Sequence, residues 1–293
     1  MPKVKANNIE IEYDTFGDPS GEPLLLIMGL GSQMISWVPE FCELFVQKGF
    51  YVIRFDNRDV GLSTKFDDAG VPNVMQVVTK ARNGEKIDPP YTLEDMADDA
   101  VGLLDALNIE KAHVCGASMG SMIAQVVAYR HPSRVLSLVP IMGSTGNPEL
   151  PEPKPEAMQV LMVPMPPKRE RYIKESVKRW RVLWGSYPYD EELRKKLAEQ
   201  AYDRSYYPDG QTRQLVAILA DGDRREKVKD IKVPTLVIHG KEDPLVPMEG
   251  GIDISKNIPG AKLLLIDKMG HSLPPEVWTQ VVDAIAENAS KAK

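Results

Sequence analysis

Gly116-Ala117-Ser118-Met119-Gly120 sets one hydroxyl between two glycines, after a short apolar run and before a helical pattern. A strand that turns straight into a helix leaves no room for side chains beside the turn, and glycines at 116 and 120 remove that clash. The residue at the apex is then held in a strained conformation with its side chain exposed. Ser118 would stand at the carboxyl end of a strand, with the Met119 amide at the start of the helix. That pairing supplies a nucleophile and one donor for a developing anion. The pentapeptide alone is weak, because with glycine at about 7% it arises by chance in roughly one such chain in ten.

A serine hydroxyl also needs a base, and the base an orienting acid. The chain has 4 histidines. His113 precedes the turn on its own strand and His131 ends the helix; both read as structural. His239 closes a strand and fits only a supporting role. His271, in Lys268-Met269-Gly270-His271-Ser272, follows the last strand. Loops after parallel strands gather at the carboxyl edge, where Ser118 also sits, so position and elimination nominate His271. For the acid, Asp243 follows the penultimate strand ahead of Pro244, with Asp267 and Glu242 as competitors.

The elements that must position these groups can be read along the chain. Val4 to Tyr13 alternates around Asn7-Asn8 and predicts a hairpin. Leu24 to Met28 and Tyr51 to Phe55 are apolar runs expected of strands buried on both faces. A helix is expected near Trp37 to Lys48, and residues 64–90 read as a surface excursion. Thr92-Leu93-Glu94-Asp95 resembles a capping box ahead of a helix through Leu107. The strand before Ser118, the helix to Arg130 and a strand from Val135 to Met142 follow. Residues 144–229 then show no strand pattern, only a proline-rich stretch and three or four helical segments. Strand signal returns at Thr235 to Ile238 and Lys262 to Ile266. This alternation predicts a doubly wound, mostly parallel eight-stranded α/β sheet built from residues 1–143 and 230–293, with a helical cap (144–229) inserted after the sixth strand.

Composition narrows the classes. With 293 residues, 43% of them hydrophobic, the chain can fill one large α/β domain with an inserted subdomain. A net charge of −6 without blocks of one sign gives no footprint for nucleic acid. Cys42 and Cys115 do not make a disulfide framework. Met1 to Lys5 lacks the apolar core of a leader, and no run approaches the length of a membrane span. The expectation is a soluble cytoplasmic protein, monomer or homodimer, acting on a small molecule. No cluster of Cys, His and acids suggests a metal, and no cofactor is expected.

The chain resembles the α/β-hydrolase superfamily over nearly its whole length. The resemblance rests on Gly116 to Gly120, on His239 to Pro247 with Asp243, on Gly270-His271-Ser272, and on Asp56 to Ser63, which is similar to the family's Asp-x-Arg-Gly-x-Gly-x-Ser. It implies a Ser118–His271–Asp243 triad in the family's order and acyl transfer through an acyl-enzyme. It also implies an oxyanion hole from the Leu30 and Met119 amides. Two departures stand out: Met28-Gly29 replaces the His-Gly of many members, and Asp59 replaces a usual glycine. The Arg58-Asp59 pair resembles the anthracycline methylesterase branch.

A carboxylesterase for small, uncharged esters is the reading that follows. The same triad also runs C–C hydrolysis, perhydrolysis, aminopeptidase action and acyl transfer, and a ligand receptor on this scaffold is the alternative from another class. Met158, Met162, Trp184 and Tyr206 of the cap are the expected substrate-binding side chains. The stripe Ile173, Val177, Trp180, Trp184 could instead only pack the cap onto the core.

Overall fold

The apolar runs of the sequence become the middle of one sheet. The computed structural model describes residues 1–292. Its strands are β1 (Lys3–Ala6), β2 (Ile9–Phe16), β3 (Glu22–Ile27), β4 (Phe50–Phe55), β5 (Ala112–Ala117), β6 (Val135–Ile141), β7 (Leu236–Gly240) and β8 (Lys262–Ile266). They pair in the order β1-β2-β4-β3-β5-β6-β7-β8. β1 and β2 form the hairpin around Asn7 and Asn8, both at positive φ, and run antiparallel to their neighbours; from β4 onward in that order every pairing is parallel.

The helices are α1 (Pro39–Val46), α2 (Val74–Arg82), α3 (Leu93–Ala106), α4 (Met119–Arg130), α5 (Pro155–Met162), α6 (Arg169–Leu183), α7 (Glu191–Arg204), α8 (Pro208–Asp221), α9 (Arg225–Val228), α10 (Glu249–Asn257) and α11 (Trp278–Ala289). Alternate strand residues feed opposite sides of the sheet. Leu25 and Ile27 of β3 pack with α3 and α4, while Leu24 and Leu26 pack with α1 and α11. α3 opens on the expected capping box, Thr92 and Asp95 each bonding the other's amide. α2 is the difference: it lies inside the expected surface excursion. None of its residues is buried, so it carries no apolar stripe to read.

α5 to α9 all fall between β6 and β7, and polar ties fasten them to the loops after β3 and β4. Arg204 of α7 pairs with Asp56 at 2.7 Å. Gln33 donates to the Ala201 and Ser205 carbonyls at 2.7 and 2.9 Å. Arg213 of α8 grips Asp59 through two bonds of 2.8 and 3.0 Å. Asp59 adopts φ +67°, the backbone for which the related motif uses glycine. An aspartate tolerates it because its carboxylate also accepts from the Phe66 amide at 2.8 Å. Both members of the Arg213–Asp59 pair are almost fully buried. Arg213→Met strands the carboxylate without a counter-ion and is expected to destabilise the fold by about 3–5 kcal/mol in urea melts. A loss under about 1 kcal/mol would show that this pair does not hold the segment down.

Candidate active site

Six parallel strands point their carboxyl ends to one edge, and the chemistry-bearing loops leave from there. Ser118 joins β5 to α4 at φ +57°, ψ −120°, the strained apex expected of the motif. The close packing explains both flanking glycines. A Cβ on Gly116 would collide with the Gly120 carbonyl, and one on Gly120 with the Ile27 carbonyl of β3.

His271 follows β8. Its loop is held by the end of α6: the His271 and Gly270 amides donate to the Leu183 and Trp184 carbonyls at 2.7 and 3.2 Å. The ring spans two partners, with Nε2 at 2.9 Å from Ser118 Oγ and Nδ1 at 2.7 Å from Asp243 Oδ2. Asp243 follows β7. Its Oδ1 accepts from the Leu245 and Val246 amides at 2.9 and 2.8 Å, which leaves Oδ2 to face the imidazole. Burial pushes the Asp243 carboxyl up, but His271 and His239 beside it outweigh that and hold it well below the usual carboxylate range. The group therefore stays ionised throughout the neutral range.

The competitors lie elsewhere. Asp267 pairs with Lys241 at 2.7 Å on the surface, and Glu242 is exposed. His239 is buried, donates from Nε2 to the Val246 carbonyl at 2.8 Å and stands 3.5 Å from Asp243, so it braces the loop that carries the acid. His113 bonds Ser137 at 2.8 Å and His131 bonds Asp98 at 2.6 Å, both away from Ser118.

Leu30 and Met119 flank the serine. A Cβ on Gly29 would sit 3.0 Å from Ser118 Cβ, so the loop after β3 passes directly over it. Among the described residues neither the Leu30 nor the Met119 amide has a hydrogen-bond partner. Two free amides beside a strained hydroxyl can stabilise an oxyanion. Ser118, His271 and Leu30 open into a cavity of about 860 Å³. Its wall comes from the loop after β3, from α1, and from α5, α6 and α7.

The four side chains expected to bind substrate lie outside that wall. Met158 is 38% exposed, on the outer face of α5, whereas Val160 and Leu161 face in. Met162, four residues on, is half-buried and does not line the cavity. Trp184 is buried, its indole donating to the Pro188 carbonyl at 2.9 Å, and it lines a separate small cleft. Tyr206 donates to the Met165 carbonyl at 2.8 Å and packs edge-on against Tyr172, one layer behind the wall. The cavity is lined instead by Tyr172, Ser176, Arg179 and Leu183 of α6, with Leu193, Arg194 and Leu197 of α7. A signal for them is present in the spacing, since Tyr172, Ser176, Arg179 and Leu183 share one helical face. Met165 and Trp180 also line the cavity.

Both cysteines are buried and free, and burial pushes the Cys42 thiol up to about 12. No helix among the described residues is long and apolar enough to cross a membrane.

A family profile described as alpha/beta hydrolase fold matches residues 22–276. The rhodomycin D methylesterase DnrP of Streptomyces peucetius is 29% identical over 315 residues, covering 100% of this chain and 99% of that protein. A 2-hydroxy-6-oxononadienedioate/2-hydroxy-6-oxononatrienedioate hydrolase of Burkholderia vietnamiensis is 31% identical over 272 residues, covering 90% and 85%. Among solved structures, a meta-cleavage product hydrolase of Pseudomonas fluorescens IP01 superposes with a TM-score of 0.76 at 22% identity, covering 100% of this chain and 98% of that one. At that identity the superposition speaks for the fold.

Proposed function

Because the chain belongs to the alpha/beta hydrolase fold family, and is thus a hydrolase by kinship, we propose that it cleaves carboxylic esters of small, uncharged acyl or alkyl groups. The observation that carries this reading is the continuous line Ser118–His271–Asp243, with bonds of 2.9 and 2.7 Å, at the floor of a largely apolar cavity. Ser118 Oγ attacks the ester carbonyl as His271 Nε2 takes its proton. Asp243 holds the ring and stabilises its cation. The Leu30 and Met119 amides bind the oxyanion, a contribution of about 3–4 kcal/mol per donor. His271 returns the proton to the leaving alcohol, and water, deprotonated by the same ring, releases the acid. The methylesterase relatives in Streptomyces support ester cleavage. The enzyme would act in the cytoplasm, as monomer or homodimer, on dissolved substrate without a cofactor.

Three of the five lysine and arginine side chains that line the cavity support an uncharged substrate. Arg54 is paired with Asp14, Arg204 with Asp56 and Arg179 with Glu175. Those three charges are thus already answered and Lys196 stands exposed at the rim, so an uncharged ester meets the apolar remainder.

One observation favours a second reading, an ester or ketone that carries a remote carboxylate. Arg194 lines the cavity and lies 4.8 and 4.3 Å from the Trp180 and Trp184 rings. Its Nε is buried without a hydrogen-bond partner, and burial pushes its pKa down to about 10. One panel decides between the two. Across p-nitrophenyl acetate to palmitate, kcat/KM should peak at a short or medium chain, with no rise on adding emulsion. p-Nitrophenyl butyrate should exceed the p-nitrophenyl half-ester of succinic acid. Preference for the half-ester, lost in Arg194→Met, would establish the anionic reading instead. A maximum at palmitate seen only above its solubility limit would mark a lipase.

A further inference from the structure

The loop that carries the Leu30 amide is gripped by a residue of the inserted helices. Gly29 to Ser32 form a turn closed by the Ser32 amide, which donates to the Gly29 carbonyl at 3.2 Å. Gly31 sits at φ +64°, as the third residue of a type II turn does. The peptide between Leu30 and Gly31 is the plane whose flip converts type II into type I. Its N–H donates to Gln214 Oε1 at 2.8 Å. The other end of the same carboxamide, Nε2, donates to the Arg58 carbonyl at 2.8 Å. Arg58 is itself fixed by Asp99 through bonds of 2.6 and 2.7 Å. Gln214 is completely buried on α8, so water does not compete for either bond.

The core's own side chains support this loop only at its shoulders. Asn57 donates to the Met28 carbonyl at 2.9 Å and Asp56 accepts from the Met34 amide at 2.8 Å. Among the described residues, Gln214 is the one side chain that accepts from an amide of residues 29–31.

We propose that Gln214 is a positioning residue for the oxyanion hole. By pinning the central peptide of the turn it keeps the Leu30 amide over Ser118, which makes α8 of the inserted segment a structural part of that hole. The inference rests on reading Ser118 as the nucleophile. It accounts for how a chain with Met28-Gly29 at this position keeps the donor in place: the brace comes from α8 of the inserted segment rather than from the residue ahead of the glycine. A loop deprived of the brace can turn its donor away from the oxyanion while the cavity keeps its shape. The loss then falls on the transition state and spares substrate binding.

The test uses Gln214→Met, which keeps the side-chain length and removes both bonds, and Gln214→Glu, which keeps an oxygen acceptor for Gly31. Hydrolysis of p-nitrophenyl butyrate is followed with enzyme counted by fluorophosphonate titration and folding monitored by Tm. Removing a donor outright costs about 10²–10³ in kcat, so displacing one in Q214M should cost about 10- to 100-fold with KM unchanged. Affinity for an alkyl trifluoromethyl ketone, which forms a tetrahedral adduct, should fall by the same factor. Affinity for the matching methyl ketone, which stays trigonal, should hold. Q214E, which keeps the acceptor for Gly31 but loses the bond to Arg58, should fall between Q214M and wild type. A lowered Tm with unchanged kcat per titrated site would overturn the proposal, as would a raised KM with kcat intact. If wild type takes up no fluorophosphonate, the reading of Ser118 falls and this inference with it; uptake with unchanged Q214M turnover removes this inference alone.

Discussion

Replacing Ser118 with alanine is expected to lower kcat for p-nitrophenyl butyrate by about 10⁵- to 10⁶-fold. The hydroxyl is only partly buried and makes its hydrogen bond to His271 alone, so its removal leaves packing untouched. The strained backbone at φ +57° is imposed by the close approach of β3 and α4 through Gly116 and Gly120, and alanine tolerates it no worse than serine. Tm should therefore change little or rise, since the substitution removes a polar group from a crowded turn. The assay needs purified mutant, because a trace of wild type would mask a residual rate of this size. Loss of less than about tenfold would mean that a different group attacks the substrate.

Asp243→Asn should cost about 10⁴-fold in kcat for a reason legible in the hydrogen bonds. Oδ1 is held by the Leu245 and Val246 amides at 2.9 and 2.8 Å, and only an oxygen can stay there. The new amide nitrogen must then point at His271 Nδ1, where the carboxylate stood at 2.7 Å. A donor at that position forces the imidazole to accept on Nδ1 and to carry its proton on Nε2. The ring then presents a proton, not a lone pair, to Ser118. The expected readout is a collapse of kcat with KM near the wild-type value and recovery at high pH, where Ser118 ionises without the base. Asp267→Asn, at the surface pair with Lys241, should leave the rate within about twofold. If D267N were the damaging change, the assignment of the acid would be reversed.

The parts of this site written in local chemistry are legible in the amino-acid sequence. The Ser118 apex needs small neighbours because backbone atoms of β3 and α4 occupy the space a side chain would take. Such a demand leaves glycines at fixed offsets. His271 and Asp243 follow from the rule that loops after parallel strands share an edge, which topology alone dictates. The choice among Asp243, Asp267 and Glu242 is not local, since all three leave the same edge. Only the direction of each carboxylate separates them.

The cavity wall is built from other residues than the four expected from the sequence, for a physical reason. The flexibility of methionine recommends Met158 and Met162, but helical phase decides, and α5 turns Ala157, Val160 and Leu161 inward at i, i+3 and i+4. Of the stripe Ile173, Val177, Trp180 and Trp184, only Trp180 lines the cavity; a mixed face of α6 with Arg179 and Ser176 lines it as well. An amphipathic pattern marks an apolar face, and this wall mixes Leu183 with Arg179 and Ser176, so it shows no such stripe. Gln214 is hidden in the sequence for a related reason. A lone amide ahead of Leu215, Val216 and Ala217 looks like a helix-surface residue until its two partners, in loops far away in sequence, are known.

Catalysis by this route passes through an acyl group on Ser118. Mixing the enzyme with excess p-nitrophenyl butyrate, quenching in acid within milliseconds and weighing the intact chain tests it most directly. The expected result is a population heavier by one butyryl group, mapped by peptide digestion to the segment containing Ser118, with a matching burst of p-nitrophenol. S118A should show neither. Rapid turnover with no covalent population at any quench time, or a butyryl group on any other residue, would contradict it.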